Sequence, residues 1–162
     1  MHRKDRAAAR PKTFKEFCAL FTDEELSSIV KIGRRYYHDP EKLIDYAKER
    51  RMDPFSVGLY LGEERHDFLP TSALIDLLAP HAQHRVAVGE RAAWLYLCGR
   101  DILMDGVAQP GEHAEGTIVM VEDTHGNTIG VGRVTSRFEL KMRNKVYIKH
   151  MLDKGEYLRR ER

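Results

Sequence analysis

The sequence has no long apolar run. Its longest stretches, such as Ala92–Cys98, cover a few residues, whereas a helix that crosses a bilayer needs about 20. No segment is expected to span a membrane. The basic N-terminus (Arg3, Lys4 and Arg6 around Asp5) lacks the apolar core of a secretory signal. Cysteine is scarce as well. Cys18 and Cys98 are the two in 162 residues, too few for a disulfide framework, and they fit reduced thiols in a cytoplasmic protein. Cys98, inside an apolar stretch, is expected to be a small buried hydrophobe. Charge of one sign is also missing: 27 Lys+Arg stand against 25 Asp+Glu.

Catalytic patterns are absent too. There is no G-x-x-x-x-G-K-[ST] phosphate loop and no G-x-G-x-x-G dinucleotide fingerprint. His81 and His84 sit three apart, but Pro80 interrupts the helix that would align them, and no Cys or carboxylate cluster completes a zinc set. Asp123 and His125 could join a serine only on paper, because no nucleophile elbow is present. The expectation is a non-enzyme with no catalytic residue, no metal, no cofactor and no small-molecule substrate.

What the chain does have is a core and an uneven charge map. Hydrophobic residues make up 42%, enough to fold, and the length fits one or two small domains. Residues 85–132 hold three basic and seven acidic side chains, whereas 133–162 hold ten basic and four acidic ones. Such a swing within one small domain predicts a one-sided electrostatic surface.

The first half reads mainly helical. Thr22-Asp23-Glu24-Glu25 has the form of a capping box, followed by Leu26, Ile29, Val30 and Gly33 at helical spacing. Asp39-Pro40 predicts an N-cap and first helical position, with Leu43, Ile44 and Ala47 as the buried stripe. Phe55–Leu61 reads as a strand with Phe55, Val57, Leu59 and Leu61 on one face, turned by Gly62–Arg65. Pro70-Thr71 opens a short apolar helix that ends at Pro80. The second half reads as short strands with glycine turns: Arg85–Val88, Thr117–Val121 and Thr128–Val134, the last two joined by a polar hairpin loop. Trp94–Leu97 fits a buried strand or a short helix. Gly130 and Gly132 predict a close backbone approach. Ser136 is expected to cap a short helix that turns Phe138 and Met142 inward. The class expected is α+β: a helical N-terminal domain over residues 1–82 and a small mixed β-barrel over 83–162.

Binding features outweigh catalytic ones. In Asn144–His150 the alternation predicts Val146 and Ile148 inward, with Lys145, Tyr147 and Lys149 outward. That face would offer ammonium groups to phosphates and a ring on which a base could stack. Arg137 and Lys141, four apart, would share a helical face, with Arg133 and Arg143 on either side. Six basic side chains and one acid, Glu139, lie within Arg133–Lys149. The alternative is an edge strand guarded by lysine against aggregation.

Several motifs in order carry a family resemblance. Gly99-Arg100-Asp101-Ile102-Leu103-Met104-Asp105-Gly106-Val107, Gly116–Val121, Thr128–Val134 and Gly155-Glu156-Tyr157-Leu158-Arg159 resemble successive elements of a PUA domain. Upstream, Ser56–Gly62, Phe68 and Thr71–Ala82 resemble the end of the pre-PUA domain of the Nip-seven family. The resemblance implies an α/β pre-PUA domain followed by a PUA pseudo-barrel, in a compact, archaeal-type member. It implies a non-catalytic RNA-binding factor in rRNA processing and large ribosomal subunit biogenesis. Its N-terminal domain would meet pre-ribosomal or other RNA-processing proteins. The alternative is a targeting subunit for a separate tRNA- or rRNA-modifying enzyme, a methyltransferase or pseudouridine synthase. Carried over by motif, the RNA side would involve Arg100 and Gly106, and on the other flank Arg133, Arg137, Lys141, Arg143 and Lys145, beside Tyr147 and Lys149.

Overall fold

The computed structural model describes residues 10–156 and Arg159; the basic residues Arg3–Arg6, and Tyr157 and Leu158 of the closing motif, lie outside these. Two compact units divide the chain. One holds the residues up to Ala19 and Leu26–Thr71, the other Leu20–Glu25 and everything from Ser72 on. The change of character expected near Ala82–His84 therefore falls inside the second unit.

The first unit is a four-stranded antiparallel sheet rather than a set of helices. Its strands β1 (Ile29–Ile32), β2 (Arg35–His38), β3 (Leu59–Glu64) and β4 (Phe68–Pro70) pair in sequence order. The capping-box helix does not form. Thr22 Oγ instead accepts from the amide of Glu24, two residues on, at 3.1 Å, and Ile29–Ile32 runs as a strand. β-Branched Ile29, Val30 and Ile32 favour that outcome, and pairing with β2 secures it. Helix α1 (Phe14–Cys18), capped by Thr13, brings Phe14 to stack on Tyr36 at 4.5 Å, with the Phe68 ring edge-on at 5.7 Å.

Helix α2 (Leu43–Glu49) starts later than Asp39-Pro40 predicts, with Lys42 at its N-cap. Asp39 still serves it at longer range: its two carboxylate oxygens accept from the amides of Leu43 (3.0 Å) and Ile44 (2.9 Å). Of the expected stripe Ala47 is buried, whereas Leu43 is exposed. The expected Phe55–Leu61 alternation also breaks. Gly58, at φ +56°, turns the chain so that Val57 and Leu61 are buried while Phe55 and Leu59 stay exposed. Gly62–Glu64 continue β3, and the turn falls after them, where the Arg65 amide bonds to Asp67 O.

The second unit opens with helix α3 (Ser72–Leu78), as its sequence predicts, burying Leu74, Ile75 and Leu78. A nearly closed mixed barrel follows. Its strands are β5 (Arg85–Val88), β6 (Ile102–Leu103), β7 (Val107–Gln109), β8 (Ile118–Glu122), β9 (Thr128–Val134) and β10 (Val146–Asp153), in the order β6-β10-β9-β8-β5-β7. The β5–β8 pair is parallel and the other pairs are antiparallel. Trp94–Leu97 resolves as part of helix α4 (Glu90–Leu97), which buries Ala93 and Tyr96 in the barrel core. The Tyr96 hydroxyl donates to the carbonyl of Val131, and a Cβ at Gly130 would stand 2.7 Å from the Tyr96 ring. This is the close approach the strand glycines predict. Fold class and barrel thus agree with the α+β expectation.

Two local expectations fail here. No helix forms after Ser136: the segment from Thr135 to Lys145 is irregular, with Phe138 packed on the Tyr147 ring at 5.2 Å and Met142 exposed. Cys98, at the C-cap of α4, is exposed rather than buried.

Candidate nucleic-acid interface

A half-open cleft of about 770 Å3 runs between α4 and the segment Arg100–Ala108. Its floor depends on a close contact. The Gly106 carbonyl accepts from Gly89 N at 2.9 Å, and a Cβ at Gly106 would stand 2.8 Å from the Ala92 Cβ. Gly106 thus lets the 3-10 turn Met104–Gly106 lie against the helix, and its role is packing. Arg100 follows Gly99, whose φ of +84° reverses the chain after α4, and its exposed side chain lines the cleft. Arg91 lines the opposite wall from the first turn of α4.

The basic segment reaches this cleft through backbone bonds. Met104 N donates to Lys145 O (3.0 Å) and Asp105 N to Arg143 O (3.3 Å). Val146 then pairs with Leu103. The backbone of Arg143 and Lys145, both exposed, is therefore tied to Met104 and Asp105, and Asp105 lines the cleft. Lys149 joins them through Asp101, with Nζ 2.8 Å from Oδ2. Burial opposes ionisation of Asp101, but Lys149 and the His150 amide outweigh it and hold the carboxyl below the usual carboxylate range. Arg133 stands opposite Lys149 on neighbouring strands, so both project from the same face of the sheet. Arg137 and Lys141 are exposed but lack the helical alignment expected of them. Acids are present too: Glu90, Asp101 and Asp105 line the cleft alongside Arg91 and Arg100.

Tyr147 does not belong to this surface. It is fully buried, its hydroxyl donating to Pro110 O at 3.2 Å, and no base can stack on it. The cause is a bulge. Val146 pairs with Leu103 and Ile148 with Ile102, leaving Tyr147 as the extra residue, and the alternation shifts so that Tyr147 and Ile148 both enter the core. Residue spacing alone carries no signal for a bulge. Two residues outside the expected set do face outward here, Arg91 and Trp94 on α4. Treating 90–97 as a helix would have found them, because Ala93 and Tyr96 then define the buried side.

Among the described residues no cluster of three or more His, Cys, Asp or Glu side chains could hold a metal ion, and no helix is long and apolar enough to cross a membrane.

Comparison with known proteins meets the barrel. Residues 84–162 match the family model described as the UPF0113 PUA domain. A UPF0113 protein of Archaeoglobus fulgidus is 32% identical over 114 residues, covering 68% of this chain and 66% of that protein. Among solved structures, a conserved PUA domain protein from Thermoplasma acidophilum aligns with a TM-score of 0.49 and 20% identity over 63% of this chain and 69% of that one. A PUA domain from Aeropyrum pernix K1 aligns with a TM-score of 0.48 and 18% identity, over 57% of this chain and 55% of that one.

Proposed function

We propose that the PUA domain formed by residues 84–162 binds RNA along its α4 cleft and basic rim, and that the protein does so without catalysing a reaction. A PUA domain is in general an RNA-binding module rather than a catalytic one. The observation that carries the reading is the pair of backbone bonds from Met104 and Asp105 to Lys145 and Arg143. They tie the backbone of two exposed cations from a distant stretch of sequence to the turn beside a cleft lined by Arg91 and Arg100. Arginine and lysine around a groove suit a phosphate backbone, with each contact releasing counterions.

At the finer level, the reading is a cytoplasmic factor in rRNA maturation and large-subunit biogenesis. Residues 83–162 supply the RNA grip, and residues 1–82 supply contacts with pre-ribosomal or RNA-processing proteins. Crosslinking the full chain to RNA in cells, followed by sequencing of the bound RNA, tests both levels. Recovery of pre-rRNA supports the reading, and recovery of tRNA together with one modifying enzyme replaces it with the targeting-subunit role. Absence of any crosslinked RNA removes RNA binding altogether.

A further inference from the structure

We propose that this surface takes unpaired RNA, with the indole of Trp94 as the platform on which one base stacks where the strand leaves the cleft. The inference rests on the RNA reading above and adds the class of RNA and the group that selects it.

Trp94 is 66% exposed, although an indole is ordinarily among the more buried side chains of a small domain. The barrel does not use it, since α4 packs inward through Ala93 and Tyr96. The outward side of the helix carries Arg91, Trp94 and Leu95, and Arg91 and Leu95 also line the cleft. Arg91 and Trp94 are three residues apart and hence neighbours on the helix surface. Arg91 therefore belongs to both places: a strand lying in the cleft and crossing the helix at Arg91 meets the indole next.

A cation beside an open aromatic face matches the two parts of a nucleotide, phosphate and base. Stacking on an indole is tolerant of base identity but requires a free base face. In an A-form duplex the faces are already stacked, and recognition there falls to the backbone and the 2′-hydroxyls. Charge decides against an apolar partner surface. Trp94 is flanked by Arg91, and Arg100 lines the same cleft together with Glu90, Asp101 and Asp105, while the exposed Arg143 and Lys145 follow on the segment bonded to Met104 and Asp105; a charged surface of this kind suits a phosphate-bearing strand better than an apolar partner.

Trp94 is the one tryptophan in the chain, so emission excited at the long-wavelength edge, where the tyrosines do not absorb, reports on it alone. The full-length protein is titrated with a labelled ten-nucleotide uridine-rich single strand and, separately, with a fully paired RNA hairpin. RNA anisotropy and protein emission are followed together. The single strand should quench the emission saturably, with the midpoint of the anisotropy curve, and the hairpin should bind at least tenfold more weakly and leave the emission unchanged. Trp94→Ala should weaken single-strand binding about five- to 150-fold with an unchanged salt slope, and Trp94→Phe should retain most of the affinity. A thermal melt of each variant confirms folding. Single-strand binding with unaltered emission and an unaffected Trp94→Ala variant overturns the stacking role but leaves the RNA reading standing. Equal binding of the hairpin overturns the RNA class. Failure of both RNAs to bind removes the RNA reading itself, and the platform with it.

Discussion

Lys149 on β10 reaches Asp101, the residue before β6, with Nζ 2.8 Å from Oδ2. The bond places an anion, and the cation it pairs with, at the cleft proposed to take phosphates. The two residues should therefore act on RNA affinity with opposite signs. Asp101→Asn removes the carboxylate from beside Lys149 and should tighten binding. Lys149→Met removes the cation and leaves Asp101 to the His150 amide; it should weaken binding, with the log–log salt slope flatter by about 0.7, the share of one phosphate on a single strand. Filter binding between 50 and 300 mM salt reads both. Because the Asp101 carboxyl is held below the usual carboxylate range, the pair stays intact at neutral and mildly acidic pH and comes apart only as pH falls through that lowered value. Wild-type affinity should show no change near pH 5 from this pair.

Arg143 and Lys145 are tied to the cleft by backbone bonds; Arg137 and Lys141 are not. The double variant Arg143→Ala/Lys145→Ala should flatten the salt slope by about 1.4, two single-strand contacts. Arg137→Ala/Lys141→Ala should change it less, and Arg50→Ala/Arg51→Ala, in the first unit, less again. Equal effects from all three pairs would mean that attraction is diffuse and the rim has no special standing.

Tyr147 now belongs to the stability of the barrel. Tyr147→Ala should cost about 3–5 kcal/mol as a large-to-small core substitution. Tyr147→Phe should cost about 1 kcal/mol for the bond to Pro110 O. Urea unfolding measures both. Tyr147→Phe should bind RNA as wild type does, since its ring is fully buried.

Where sequence and structure agree, the signal was local and strong. The strands Arg85–Val88 and Thr128–Val134 and helix Ser72–Leu78 show in their own periodicity and boundaries, and the strand glycines announce the crossing of Tyr96. Disagreement begins where a distant partner decides. Ile29–Ile32 carries a helical spacing, but β2 claims it as a strand. The Tyr147 bulge exists only because β6 pairs out of step with β10. For the proposed site, the basic segment shows in the sequence by its charge, but the cleft it lies near does not. Charge alone singles out Arg143 and Lys145, whereas the outward placement of Arg91 and Trp94 depends on residues 90–97 being helical and on which side they bury.

The two cysteines should differ sharply toward alkylating reagents. Burial pushes the Cys18 thiol up to about 12, whereas Cys98 is exposed at the end of α4. The thiolate is the nucleophile, so iodoacetamide at pH 8 should label one thiol per native chain, at Cys98, and two after denaturation. Peptide mapping that finds Cys18 labelled first would mean that the first unit opens readily.

Asp153 is the buried last residue of β10. Its side chain is fully buried, with Oδ2 2.7 Å from Arg159 Nη2 and 2.6 Å from His150 Nε2, and Oδ1 3.0 Å from Arg159 Nη1. Arg159 also donates to the carbonyl of Leu97, so one guanidinium joins the end of α4 to the end of β10. Burial disfavours the Asp153 carboxylate, but Arg159 and His150 more than offset this and hold its carboxyl below the usual range. A depressed carboxyl contributes stability that is present above its unfolded value, near 3.9, and is lost as pH falls through the folded value. Asp153→Asn should therefore destabilise the protein at pH 7 by about 2 kcal/mol, less than a fully buried pair because Arg159 is 38% exposed. The difference between variant and wild type should shrink as pH drops below about 3.9, because the unfolded wild type then binds a proton that the native Asp153 still refuses. Urea unfolding at pH 7, 5, 4 and 3 measures that difference. A gap that stays constant down to pH 3 would show that Asp153 acts by shape rather than by charge, and Arg159 would then be held by Leu97 alone.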